Sequence, residues 1–225
     1  MTDNALPESL ASARERLRRA LEDAGRSPTS ATLLAVSKTK PAEMLREAWQ
    51  HGQREFGENY LQEALDKQAA LEDLDGIVWH FIGPLQSNKT RAVAEQFAWV
   101  HSVDRLKIAR RLSEQRPESL PALNICLQVN INNEDSKSGC TLDELPELVS
   151  AISDLPNISL RGLMAIPDPD QPESELRLSF RKLAGTLKNL KQDHPDAGPL
   201  DTLSTGMSDD LELAIAEGAT WVRVG

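Results

Sequence analysis

Apolar positions along the chain fall into two alternating patterns. From residue 6, Leu6, Leu10, Ala13, Leu17, Leu21 and Ala24 recur at the spacing of one helix face, and Gly25 follows as a stop. Residues 32–37 then form a short apolar run of the kind buried on both faces of a parallel sheet. A helix is predicted after Pro41, ending near His51-Gly52. Arg54-Glu55-Phe56-Gly57 is a second strand, with a helix through about Leu71. IVWHFIG at 77–83 is a third strand, residues 88–96 are helical, and WVHSV at 99–103 is a fourth strand. Asp104 stands where an N-cap belongs for a helix reaching about Gln115. NICLQVNIN at 124–132 is the fifth strand. Thr141 and Glu144 have the spacing of a capping box for a helix ending near Asp154. ISLRGLMAI at 158–166 is the sixth strand, and a long helix fills 172–192. Thr202-Leu203-Ser204 is the seventh strand, Ser208 caps another helix that Gly218 ends, and Trp221-Val222-Arg223-Val224 is the last strand.

Strand and helix thus alternate eight times, with no linker rich in Pro, Gly or Ser and no fixed-period repeat. Such alternation implies parallel strands. Eight units in 225 residues favour an α/β fold made of one closed (β/α)8 barrel over an open doubly wound sheet. On this reading 1–225 is a single domain with an extra N-terminal helix, and no helix follows the eighth strand.

Composition narrows the function classes. The chain is 40% hydrophobic and 27% charged, ordinary for a globular protein, with a net charge of -10. That charge argues against a nucleic-acid backbone or an anionic membrane as main partner, while leaving room for a local anion pocket. No apolar stretch is long enough to span a bilayer, and MTDNALPESL lacks a secretory pattern. Two cysteines, Cys126 and Cys140, and four scattered histidines give neither a disulfide scaffold nor a zinc pattern. A cytoplasmic protein with no metal, no membrane contact and no nucleic-acid contact is expected.

A parallel barrel carries its chemistry at the C-terminal ends of its strands. Those ends deliver Ser37-Lys38, Gly57-Glu58-Asn59, His80 and Gly83, Asn130 and Asn132, Met164, Ser204-Thr205-Gly206-Met207-Ser208, and Arg223 with Gly225. No Ser-His-Asp set is visible among them, and Glu58 has no evident carboxylate partner of the kind a glycosidase needs. Asp209 and Asp210 fall in the first turn of a predicted helix, where they complement its dipole. The glycine-bearing STGMS turn can hold a phosphate through backbone N–H groups. A lysine beside a phosphate site suggests a phosphorylated aldehyde held as a Schiff base, and pyridoxal 5'-phosphate (PLP) is the obvious candidate. Lys38 is the candidate amine. Lys40 and Lys137 are rivals, Lys40 placed in the turn by Pro41.

Taken together, LLAVSKTKP, FGENYLQE, WHFIGPLQSNK, EDSKSG, RGLMAIP, LSTGMSDDLELAI and VRVG resemble the pyridoxal phosphate homeostasis proteins, the YggS/PROSC family, from about residue 30 to the end. The resemblance implies a barrel related to the N-terminal domain of alanine racemase (fold type III among PLP proteins), PLP bound covalently to Lys38, and a role in cofactor supply. Position by position, it makes Lys38 the Schiff-base lysine and Arg223 the arginine facing the pyridine nitrogen. Ser204, Gly206, Met207 and Ser208 match the phosphate turn and Gly225 the second one. Asn59, His80 and Met164 match positions lining the pocket. The family pattern runs on past R-[VI]-G into a TxIFGxR-like segment and a closing helix, whereas this sequence stops at Gly225.

An arginine can only donate to the pyridine nitrogen, which therefore stays unprotonated and is a poor electron sink. Racemisation also needs a second base, which alanine racemase takes from a C-terminal domain. The sole tyrosine here is Tyr60. The expectation is a monomeric binding and delivery protein with no catalytic residues, PLP as its ligand and PLP-dependent apo-enzymes as recipients. Lys137 is a possible second, transient amine. A PLP-dependent amino-acid racemase-like enzyme and a cofactor-free, aldolase-like Schiff-base barrel are the alternatives.

Overall fold

In the computed structural model residues 5–133 and 138–225 are described. The expectation for Lys137 lies outside the described residues. The elements follow one another as α1 (Ala5–Asp23), β1 (Thr32–Val36), α2 (Ala42–Gln50), β2 (Glu55–Glu58), α3 (Leu61–Ala70), β3 (Val78–Phe81), α4 (Thr90–Gln96), β4 (Trp99–Val103), α5 (Leu106–Gln115), β5 (Leu123–Gln128), α6 (Leu145–Ser153), β6 (Ile158–Met164), α7 (Glu173–Asp193), β7 (Thr202–Ser204), α8 (Leu211–Ala216) and β8 (Trp221–Val224). All neighbouring strands pair in parallel, in sequence order, and the sheet closes into a barrel. Closure needs nothing beyond Gly225, because β8 pairs with β1 from Thr32↔Trp221 to Ala35↔Val224.

Side-chain alternation separates two interiors. Outward positions such as Leu33, Phe56, Leu163 and Val222 pack under the helices. Inward positions in register hold Gly57 beside His80, His80 beside Trp99, and Met164 beside Ser204 and Trp221. The leading helix is not an appendage. Leu10, Ala13, Leu17 and Leu21 of α1 share one buried cluster with Leu45 of α2, Leu211 and Ile215 of α8, and Val222 of β8. It covers the β8–β1 seam, the position a helix after β8 would take.

Local differences from the sequence pattern have physical reasons. Asp104 makes no cap: α5 starts at Leu106 with Arg105 in the cap position and no side-chain hydrogen bond there. The fifth strand ends at Gln128, since beyond it only Val129 bridges, to Cys140. Ser208 is not the cap of α8 either. That helix begins at Leu211, and the Asp210 carboxylate accepts the Met207 N–H at 2.6 Å, so Asp209 and Asp210 precede the helix rather than fill its first turn. The Thr141–Glu144 capping box does form, on a 3-10 turn leading into α6.

Candidate functional site

The C-terminal mouth of the barrel holds a cavity of about 270 Å³ lined by Asn59, Ile82, Pro84, Gln128, Val129, Asn130, Ser138, Ile166 and Arg223. A narrow cleft beside it is lined by Ala165, Thr205, Gly206, Met207 and Asp210, and Arg223 borders both. Of the predicted residues, the structure therefore gathers Asn59 and Arg223 in one cavity and Gly206 and Met207 in the adjoining cleft.

Arg223 is the unusual group. It lies inside the barrel, and its Nε and Nη2 are buried with no hydrogen-bond partner among the described residues. Burial lowers its pKa to about 10, which still leaves it charged at neutral pH. A buried guanidinium without acceptors is costly, so the fold is holding donors ready for an acceptor atom. Asn59 Oδ1 is the mirror case, a buried acceptor with no donor. Its backbone is pinned by Gly83, where an added Cβ would stand 2.2 Å from the Asn59 carbonyl oxygen.

Beneath the cavity runs a chain of polar side chains. His80 Nε2 lies 3.1 Å from Glu55 Oε1, His80 Nδ1 lies 2.9 Å from His101 Nε2, and His101 Nδ1 lies 2.6 Å from Ser204 Oγ. Burial pushes both imidazoles below the ordinary histidine range, His101 well below, and Arg223 adds to the effect. Both rings are thus neutral at pH 7, and the chain has one direction. The Glu55 carboxylate can only accept, so His80 donates from Nε2 and accepts at Nδ1. His101 donates from Nε2 and accepts at Nδ1, and Ser204 donates its hydroxyl proton. Ser204 is fully buried and turned into the barrel, its hydroxyl committed to His101. Trp99 and Trp221 pack around the two rings, and Met164 joins Trp99 and Cys126 in the same buried cluster. Burial raises the Cys126 thiol to about 12, so it stays protonated.

Lys38 follows β1 as an exposed residue. It extends the alternation of Leu34 and Val36, which are in register with the inward Arg223 and Gly57. The turn beyond it is unusual, because Thr39 has φ 61°, in the left-handed region. Under this turn lies a buried ion triad that the sequence did not reveal. Lys67 Nζ donates to Glu58 Oε1 at 2.9 Å, to Glu63 Oε1 at 2.8 Å and to the Ser37 carbonyl. The partner of Glu58 is a cation nine positions on. The Glu63–Lys67 spacing of four on a predicted helix was the available signal. Burial raises the Glu58 carboxyl pKa, with the Ser37 and Lys67 hydrogen bonds pulling down, while Lys67 chiefly lowers that of Glu63.

In the STGMS turn, Gly206 has φ 102°, and an added Cβ would meet Ala214 at 2.5 Å. Ser208 offers its carbonyl to Arg16 of α1 at 2.8 Å, and Gly225 is exposed at the end of β8. Asp210, its carboxyl pKa raised by burial, shares this turn.

Comparison with known proteins fits this geometry. The family described as alanine racemase, N-terminal domain, matches residues 9–225. A pyridoxal phosphate homeostasis protein of Pseudomonas aeruginosa is 59% identical over 222 residues, covering 99% of this chain and 94% of its own. One from Escherichia coli K12 is 53% identical over 227 residues, with the same coverage. The chain belongs to the pyridoxal phosphate homeostasis protein family. Among solved structures, PipY of Synechococcus elongatus PCC7942 with PLP bound superposes with a TM-score of 0.82 at 40% identity, over 93% of this chain and 97% of that one. In this chain the strand ends lead to Arg223 and Asn59, each with an unpartnered buried atom, and to Lys38 on a braced turn. Among the described residues no helix is long and apolar enough to cross a membrane.

Proposed function

We propose that this protein holds PLP at the mouth of its barrel, links it covalently through Lys38, and buffers or delivers it within the cytoplasm without turning over an amino acid. The observation that carries the reading is a pair of residues lining one cavity, each with a buried polar atom that has no partner among the described residues. Arg223 offers N–H donors that suit a pyridine nitrogen, and Asn59 Oδ1 offers an acceptor that suits a ring hydroxyl. The donor set fits the cofactor. When bound, PLP supplies an aldehyde that condenses with a primary amine, releasing one water.

This chain's residues do the rest. Arg223 keeps its proton and leaves the ring nitrogen unprotonated, which restrains carbanion chemistry. Gly206 and Met207 shape the cleft where the phosphate would lie, and Ser208 follows in the same turn, whereas Gly225 lines a separate pocket beside α1 and α2. His80 and Met164 are fully buried deeper in the barrel, so they would support the pocket rather than line it. Asp210 lines the same cleft and would disfavour a bound phosphate, which suits a holding site that also releases. Tyr60, the sole tyrosine, follows Asn59, is 54% exposed and has no side-chain hydrogen bond among the described residues to orient it as a base. Apo-enzymes are the proposed recipients and the monomer the proposed working unit.

Spectroscopy with borohydride trapping on wild type and Lys38→Ala tests the reading. The adduct should map to Lys38 and vanish in the variant. Wild-type protein that stays colourless with PLP overturns it. The racemase-like alternative predicts exchange of the α-proton of added D- or L-amino acids with deuterated water; the carrier reading predicts none.

A further inference from the structure

Lys38 makes no side-chain hydrogen bond or ion pair among the described residues, yet its two neighbours are tied down on both sides. Ser37 Oγ–H donates to Glu58 Oε2 at 2.5 Å, and Ser37 also gives its carbonyl to Lys67. Thr39 N–H donates to Glu63 Oε1 at 2.5 Å. Lys67, 5% exposed, spends its three N–H groups on Ser37, Glu58 and Glu63, and Glu58 is fully buried. So β2 and α3 send one ion triad under the turn, and the triad touches the residues before and after Lys38 but not Lys38 itself.

Buried ion pairs add little net stability compared with apolar packing. The Glu58–Lys67–Glu63 triad is therefore poorly explained as a stabiliser of the barrel. What it does fix is a backbone conformation that would otherwise relax, since Thr39 sits at φ 61° where a β-branched residue is disfavoured. A lysine on a relaxed turn would sweep a wide cone. A fixed turn sets the direction of the Lys38 Cα–Cβ bond and so narrows the volume its amine sweeps, and such positioning accelerates a bimolecular encounter.

We propose that Lys67, acting through Glu58 and Glu63, is a positioning residue for the Lys38 amine, setting how fast the cofactor is captured rather than how tightly the pocket holds it. This rests on the reading of Lys38 as the capturing amine. The test compares wild type, Lys67→Met, Lys67→Arg and Glu63→Gln at saturating PLP. Three readouts are taken: the rate at which the visible band of bound cofactor appears, total PLP retained by equilibrium dialysis, and the thermal midpoint. For Lys67→Met the capture rate should fall tenfold or more, with total binding within twofold of wild type. Lys67→Arg, which restores the charge, should recover most of the rate. Glu63→Gln, which removes the charge that holds both the Thr39 N–H and one Lys67 N–H but leaves the Lys67–Glu58 pair, should slow capture about threefold and serves as the measure if Lys67→Met does not fold.

Capture at the wild-type rate in a folded Lys67→Met, or in Glu63→Gln where that variant is the measure, overturns the proposal alone. So does a loss of rate, total binding and thermal midpoint in step, which marks a merely structural role. Wild-type protein never labelled at Lys38 overturns the underlying reading and takes this proposal with it.

Discussion

Ser204 Oγ lies 2.6 Å from His101 Nδ1, and the proton between them is the serine's. The assignment follows from the far end of the chain, where the Glu55 carboxylate can only accept. It makes Ser204 part of the barrel floor rather than a hydroxyl donor to a phosphate. Ser204→Ala should leave the His101 lone pair unpartnered in a dry interior and destabilise the fold by about 1–3 kcal/mol. PLP affinity should move less than about tenfold, or ~1.4 kcal/mol. Urea unfolding and a PLP titration measure the two effects. A large loss of affinity with unchanged stability would return Ser204 to the phosphate turn.

The same chain predicts a pH dependence. His80 and His101 are held neutral by burial, with Glu55 opposing at His80 and Arg223 reinforcing at both. Their folded pKa values lie below 6.5, so below that pH the unfolded chain binds more protons than the folded one. Stability is therefore present above pH 6.5 and is lost as pH falls through it, by about 1.4 kcal/mol for each fully suppressed histidine on reaching about pH 5.5. Glu58 and Asp210, whose carboxyl pKa values burial raises, act in the opposite sense at lower pH. The slope should grow as pH falls from about 7 toward about 5.5, measured as urea midpoints across pH. A flat profile there would show that the rings are not held neutral.

Why was so much of the barrel legible, and so little of its interior wiring? Strands four, seven and eight are where the pattern places them, because a buried parallel strand is an apolar run bounded by turn residues. The Thr141–Glu144 box was visible because capping is a local interaction at fixed spacing. Asp104 and Ser208 misled for the same reason: each is a good cap residue next to a helix whose first turn tertiary contacts moved. His101 attracted no notice because its partners are 21 and 103 residues away. Only the strand register shows that it faces His80. The covering role of α1 was hidden likewise, since nothing local says that a leading helix will seal the last strand against the first.

Gly83 is a spacer for Asn59. An added Cβ would stand 2.2 Å from the Asn59 carbonyl oxygen, a backbone atom that cannot swing aside. Gly83→Ala should therefore displace Asn59 from the cavity, at a cost of about 1–3 kcal/mol for the overpacking. PLP affinity should fall while labelling still maps to Lys38. Denaturant titration with peptide mapping checks both, and wild-type affinity in Gly83→Ala would remove Asn59 from the site.

Arg223 should make the free protein less stable than it need be. A guanidinium with Nε and Nη2 buried and unpartnered carries a desolvation penalty that only an acceptor can relieve. Arg223→Met keeps a long, flexible apolar stem in the same space and removes the unsatisfied donors. Without PLP, this variant should unfold at a higher temperature than wild type. Relief of about 1–3 kcal/mol corresponds to a rise of roughly 2–4 °C per kcal/mol for a chain of this size. With PLP the order should reverse, because wild type gains an acceptor and the variant gains nothing, and the variant's affinity should drop tenfold or more. Thermal midpoints of both proteins, each with and without PLP, give the four values required. A variant less stable than wild type in both conditions would mean that the guanidinium is already satisfied and is not held ready for the ring nitrogen.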